Sequence, residues 1–306
     1  MTLEGQWDDD TGDRLAQRRA VEALRSGVPN RDAVIALGSG QSEIEDRFTG
    51  LLEDIGGPRH GSGGRPGRAS MLLGAGFGEG KSHLLTHLGH LAKSSGFVVS
   101  TVVISKETPL HDPAKVLRAA VESAVAPDGA RDVVAEAAAA LDTDSAGYAE
   151  LLRWLRGPGR DLNERFEATL LLHQRLGGDA PGADEEFLDT IVRFWSGDPL
   201  LMPGLRRQLK AIGEAKTFSF SPIKARDLAR QRLRFLPRLL RAGGSTGWVV
   251  LFDEVELLGR YSLLQRGRPY SALARRPAGA PASYGDPLVP ASAAAAAFGA
   301  CRHPGR

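Results

Sequence analysis

The sequence predicts an α/β fold, a parallel sheet with helices on both faces, preceded by a helical N-terminal segment and interrupted by a helical insertion. Three observations predict it. Ala69–Leu73, Phe97–Ile104 and Gly247–Phe252 are short apolar runs, the second rich in β-branched residues, as strands buried on both faces are. A glycine-rich loop and an amphipathic helix directly follow the first run. Helical patterns separate the other runs, as crossovers between parallel strands require.

Arg14 to Asp54 is helical in character, and Ile44, Phe48, Leu51 and Leu52 recur at i, i+4, i+7 and i+8, one face of a helix. Val28-Pro29-Asn30 separates two helices here, with Asn30 suited to cap the second. The helical segment is taken as 14–55, and the Gly/Pro/Arg-rich stretch 56–68 as a linker. Ser82 to Lys93 forms a helix that turns Leu84, Leu85, Leu88 and Leu91 inward. Asp112 caps the next helix, with Pro113 in its first turn. About 170 residues separate Lys81 from Asp253, which predicts a mainly helical insertion within 127–223. Residues 1–13 and 276–306 lack periodic apolar patterning and read as disordered; the Ala/Pro/Gly/Ser-rich end is alternatively non-native sequence.

Composition bounds the function. Hydrophobic residues make up 42% of the 306, enough for a packed core, and the formal net charge of +2 excludes the chain as a whole from polyanion binding. Cys301 is a single thiol, which excludes an internal disulfide and a cysteine metal cage and fits a reducing compartment. No apolar run approaches the roughly 20 residues that span a bilayer. The N-terminus carries Asp8-Asp9-Asp10 and no apolar core, so it is not a secretory signal. A soluble cytoplasmic protein without a membrane partner is expected.

The glycine-rich loop is Gly74-Ala75-Gly76-Phe77-Gly78-Glu79-Gly80-Lys81-Ser82, followed by His83. Phosphate loops follow G-x-x-x-x-G-K-[ST] between a strand and a helix. Gly80-Lys81-Ser82 fits the second half, while Ala75 stands where the first glycine belongs, flanked by Gly74, Gly76 and Gly78. Glycines let the backbone turn its N–H groups onto phosphate oxygens. Lys81 would reach the β- and γ-phosphates, Ser82 would give its hydroxyl to Mg²⁺, and the helix start would add its positive end. His83 lies beside this site and reads chiefly as a packing or solvent residue.

Val249-Val-Leu-Phe-Asp253-Glu254 supplies the complement. A strand-end aspartate in loop-type nucleotidases holds magnesium, the role open to Asp253. Glu254 would then activate water as general base. Together the two motifs predict a Mg²⁺–ATP site. Glu107, after the second strand, is a further candidate γ-phosphate contact, with a plain loop charge as the simpler reading. Arg226, Arg230, Arg234, Arg238 and Arg241 fall on one side of a helix whose other side is Leu- and Phe-rich. That face is a candidate DNA contact or a solvated or internally paired arginine face; Arg232 breaks the pattern and Pro237 should kink or end the helix.

With these motifs placed, the sequence resembles the BREX phage-defence ATP-binding proteins of the BrxD type, P-loop ATPases of AAA+-like character. The resemblance rests on the strings from Arg18 to Arg31, Gly76 to His83, Val103 to Leu110, Asp112 to Arg118 and Asp253 to Ser262. It implies an ATPase acting in bacterial phage defence, with other BREX proteins and DNA as partners. It implies Lys81 and Ser82 for phosphate and magnesium, Asp253 for magnesium and Glu254 for water activation. It also implies a P-loop ATPase domain over 69–275 that is C-terminally incomplete, since the likeness fades near Arg275. A nucleotide-dependent switch with little hydrolysis, a small-molecule kinase and an inactive truncated fragment are the alternatives.

Overall fold

A computed structural model of the chain describes residues 5–26, 31–56, 69–74, 79–157, 161–177, 184–255 and 293–299. Asn30 and the linker 57–68 lie outside them, as does the chain from 256 to 292.

Three helices open the chain: α1 (Gly5–Ser26), α2 (Arg31–Leu37) and α3 (Ser42–Gly56). Then come β1 (Ala69–Gly74), α4 (Lys81–Ser94) and β2 (Phe97–Val103). The helices α5 (Pro113–Glu122), α6 (Val133–Ala139), α7 (Ala146–Arg156), α8 (Arg165–Leu176), α9 (Glu185–Ser196), α10 (Met202–Ala211) and α11 (Ala225–Ala242) follow. β3 (Gly247–Asp253) and β4 (Ala293–Gly299) complete the described elements. The strands form one parallel sheet in the order β1-β4-β3-β2. Asp253 lies opposite Val103, and Ala297 lies between Leu72 and Phe252, so the ends of β1 and β3 come out level on one side of the sheet.

Strand alternation divides the core in two. Val98, Val102, Trp248, Val250 and Phe252 face the large cluster built with α5 to α11. Phe97, Val99, Val249 and Leu251 face a smaller cluster with Met71, Leu73, Leu84, Leu85, Leu88 and the α3 residues Phe48, Leu52 and Ile55. The apolar spacing read in α3 is therefore the face that closes the sheet. α5 begins as its sequence dictates: the Asp112 carboxylate accepts from the Ala114 and Lys115 backbone N–H groups, and Pro113 occupies the first turn.

One polar group is sealed between the sheet and α5. The Ser100 hydroxyl is fully buried; it accepts from the Trp248 indole N–H at 2.8 Å and donates to the Ala120 carbonyl at 2.6 Å. Ser100→Ala strands that N–H, and an unsatisfied buried donor costs about 1–3 kcal/mol. The variant should therefore unfold at lower urea than the parent; equal midpoints would contradict the assignment.

Three expectations need correction. α1 starts at Gly5, inside the stretch 1–13 read as disordered. The alanine run 293–297, read as part of a tail without regular structure, forms most of β4. Alanine has a low strand propensity, but a slot between two parallel strands offers backbone pairing on both sides, and any non-proline residue can use it. β4 accordingly lies between β1 and β3. Finally, α11 runs through Pro237 to Ala242. Proline inside a helix costs about 3 kcal/mol or more. Here Phe235, Leu236, Leu239 and Leu240 are buried on either side of it, which offsets that cost.

Candidate functional site

The ends of β1 and β3 and the start of α4 converge. Gly74 closes β1, and the described chain resumes at Glu79; Ala75, Gly76, Phe77 and Gly78 lie outside the described residues. Gly80 precedes α4 with φ +79°, the left-handed conformation that glycine adopts without a Cβ penalty. It caps α4 with no side-chain hydrogen bond. Lys81 is half-buried in that turn, and Ser82 and Glu79 are exposed.

Ser82 meets Asp253 across 171 residues of sequence: its hydroxyl donates to Asp253 Oδ2 at 3.3 Å. Asp253 Oδ1 accepts from the Glu254 backbone N–H at 2.8 Å. Glu254 is exposed and has φ 59°, the only positive φ at a non-glycine among the described residues. Such backbone costs of order 1–3 kcal/mol and gathers at functional sites. It turns the chain sharply off β3 just after Asp253.

The donor set suits a hard cation. A hydroxyl and a carboxylate oxygen are ligands magnesium takes, at about 2.0–2.1 Å each with waters and phosphate oxygens completing the octahedron. Two such neighbouring ligands stand about 3 Å apart, close to the Ser82–Asp253 spacing. Among the described residues no group of three or more His, Cys, Asp or Glu side chains gathers to hold a metal. Ser82 and Asp253 offer two oxygen ligands to such a cation, and phosphate oxygens and waters would complete its shell.

His83 is committed elsewhere: its Nε2 lies 2.6 Å from the Gly38 carbonyl, in the corner between α2 and α3. One turn on, His87 Nε2 stands 3.1 Å from Glu45 Oε1. The Ser39 hydroxyl donates to that same carboxylate, and this bond first, with His87 after it, holds the Glu45 carboxyl below its ordinary range. Sequence reasoning missed this docking of the N-terminal segment onto α4. The signal available was His83 and His87 at i, i+4, on a helix whose other face is leucine. Glu107 sits on the loop after β2, next to β3, since the Ile104 N–H donates to the Asp253 carbonyl at 3.0 Å. Its carboxylate accepts from the Ser105 hydroxyl at 2.9 Å within its own turn.

The α11 arginines have partners inside the chain. Arg226 donates to the His111 carbonyl, Arg230 pairs with Asp227, and Arg241 donates to the Ile55 carbonyl. Arg234 grips Asp161 with both Nη atoms, at 2.6 and 2.9 Å, and holds that carboxyl below its ordinary range. Arg238 lies over the Trp154 ring, 3.9 Å from its centroid. Arg232, which broke the surface pattern, is buried: it donates to the Phe194 and Asp198 carbonyls at the end of α9. Burial lowers its pKa to about 10, so it stays charged at neutral pH. The side of α11 read as a candidate DNA contact is thus largely spent on pinning α11 to its neighbours.

Among the described residues no helix is long and apolar enough to cross a membrane. Residues 14–124 match the family model described as BREX system ATP-binding protein BrxC/D. The match contains Lys81 and Ser82 and ends before Asp253 and Glu254. No curated protein and no solved structure matches the chain.

Proposed function

We propose that this chain, whose residues 14–124 match the BrxC/D family model, binds ATP with magnesium and hydrolyses it, in BREX phage defence alongside other BREX proteins in the cytoplasm. The observation that carries the reading is the Ser82–Asp253 hydrogen bond, which brings the lysine–serine end of a phosphate-loop motif to a strand-end carboxylate. A P-loop, AAA+-like domain over 69–275, with the helical insertion inside it, fits this arrangement. The parallel sheet supports it, with β1 and β3 opening on one side and helices on both faces.

In this reading the loop from Gly74 to Gly80, with Ala75, Gly76, Phe77, Gly78 and Glu79 between, wraps the phosphates with its backbone N–H groups. Lys81 places its ammonium against the β- and γ-phosphate oxygens. Ser82 and Asp253 hold magnesium, which when bound neutralises charge developing on the phosphates. Glu254 accepts the proton of the attacking water. The rigid partners of these groups are the start of α4 and the end of β3, both anchored on the smaller core cluster through Leu84, Leu85 and Leu251.

Calorimetric titration of ATP in magnesium buffer tests the reading. The parent chain should bind, and Lys81→Ala should bind at least about tenfold more weakly, since a charge-assisted contact is worth about 1.5–3 kcal/mol. Equal affinity for both chains would overturn it.

A further inference from the structure

A groove of about 390 Å³ lies between α5 and α11, with the turn after α9 as its third wall. That volume falls within the range of about 300–1,000 Å³ that small-molecule sites occupy. No residue assigned to the nucleotide site lines it. Its walls follow helix faces. Lys115, Arg118 and Glu122 recur at i, i+3 and i+7 of α5, and Ala225, Ala229 and Arg232 at i, i+4 and i+7 of α11. Leu117 and Val121 add apolar surface, and the short side chains of Ala225 and Ala229 leave the α11 wall low.

Arg232 carries the charge that matters here. It is only 4% exposed. Its Nε and Nη2 donate to the Phe194 and Asp198 carbonyls, and the Phe194 ring covers one face of the guanidinium, 4.7 Å from Cζ. Among the described residues Nη1 has no partner, and Arg232 forms no ion pair. Nη1 is not sealed in protein either, so it opens on the groove that Arg232 lines. Buried charges are ordinarily paired, and two carbonyls solvate this one without neutralising it. Burial lowers the Arg232 pKa most; the nearby Asp198 carboxylate opposes that shift and Arg165 adds to it. At the rim, Lys115 and Arg118 stand against Glu122 and Asp198, all four exposed and screened by water. The rim charges balance in sign, and the shielded charge of Arg232 is left over.

We propose that this groove binds a small organic anion, a carboxylate or phosphate monoester with an apolar body. The anionic group takes the open Arg232 Nη1, a charge-assisted bond in a site with little water. The apolar body lies along Leu117, Val121 and Ala229, which a bare inorganic anion would leave uncovered. The proposal does not depend on the nucleotide site.

Calorimetric titration of the full chain with octanoate, octyl phosphate, octylammonium and acetate tests it. Octanoate or octyl phosphate should bind at least about tenfold more tightly than octylammonium, which has the same body and the opposite charge, and than acetate, which lacks the body. The tighter of the two octyl anions identifies the head group. Ala225→Trp, at an exposed position of the α11 wall, fills the groove and should weaken the octyl anion at least about tenfold. Arg232→Met should abolish the preference over octylammonium, with a urea midpoint confirming that the variant folds; if it does not fold, Ala225→Trp decides. Saturating ATP with magnesium should leave the octyl anion's affinity unchanged. Equal binding of the octyl anions and octylammonium, undiminished binding by Ala225→Trp, a preference retained in folded Arg232→Met, or displacement of the octyl anion by ATP would each overturn the proposal.

Discussion

Glu254→Gln should leave ATP affinity within about twofold of the parent and lower turnover by about 10²- to 10⁴-fold, the usual worth of a positioned general base. The amide keeps the size of the side chain and removes its ability to take a proton. The backbone is not expected to change, because the turn is held by the Glu254 N–H donating to Asp253 Oδ1, a contact independent of the side chain. Steady-state phosphate release measures the loss, and a parallel binding titration checks that the site is intact. A variant that hydrolyses ATP at the parental rate would remove Glu254 from the chemistry. A parent chain that binds ATP and releases no phosphate would instead favour the nucleotide-dependent switch.

Asp253→Ala should act differently. Asp253 joins two groups, accepting from Ser82 through Oδ2 and from the Glu254 N–H through Oδ1. In the proposed site, removing it takes away a cation ligand and the hydrogen bond that holds the Glu254 turn. Loss of a supporting contact alone lowers metal affinity by about 10- to 100-fold, and loss of a ligand should cost at least that. The magnesium concentration for half-maximal hydrolysis should rise by that factor, and turnover should fall even at saturating magnesium because Glu254 is no longer fixed. Magnesium titrations of the two chains measure both effects. An unchanged magnesium requirement would show that Asp253 is not at the cation.

Much of this arrangement was legible in the sequence for local reasons. Phe97–Val103 and Gly247–Asp253 are strands whose alternate residues enter different clusters, and β-branched runs of that length are suited to little else. Asp112-Pro113 announces α5 because a carboxylate cap and a proline at the first turn act within a few residues. Gly80-Lys81-Ser82 and Asp253 could each be placed, at a helix start and a strand end, because those positions follow from local pattern. What was not legible depends on distant partners. β4 is made of alanines that carry no strand signal, and it is defined only by its pairing with β1 and β3. The arginine spacing on α11 showed which side each residue occupies, but not that Asp161, His111 and Ile55 would meet it. Nor did the sequence show that His83 would face Gly38.

The most direct measurement is a crystal structure of the chain with a non-hydrolysable ATP analogue and magnesium. The account predicts the analogue's phosphates in the loop from Gly74 to Ser82, with Lys81 on the β- and γ-phosphates and the cation between the Ser82 hydroxyl and the Asp253 carboxylate. An analogue bound away from that loop, or a cation remote from both Ser82 and Asp253, would contradict it.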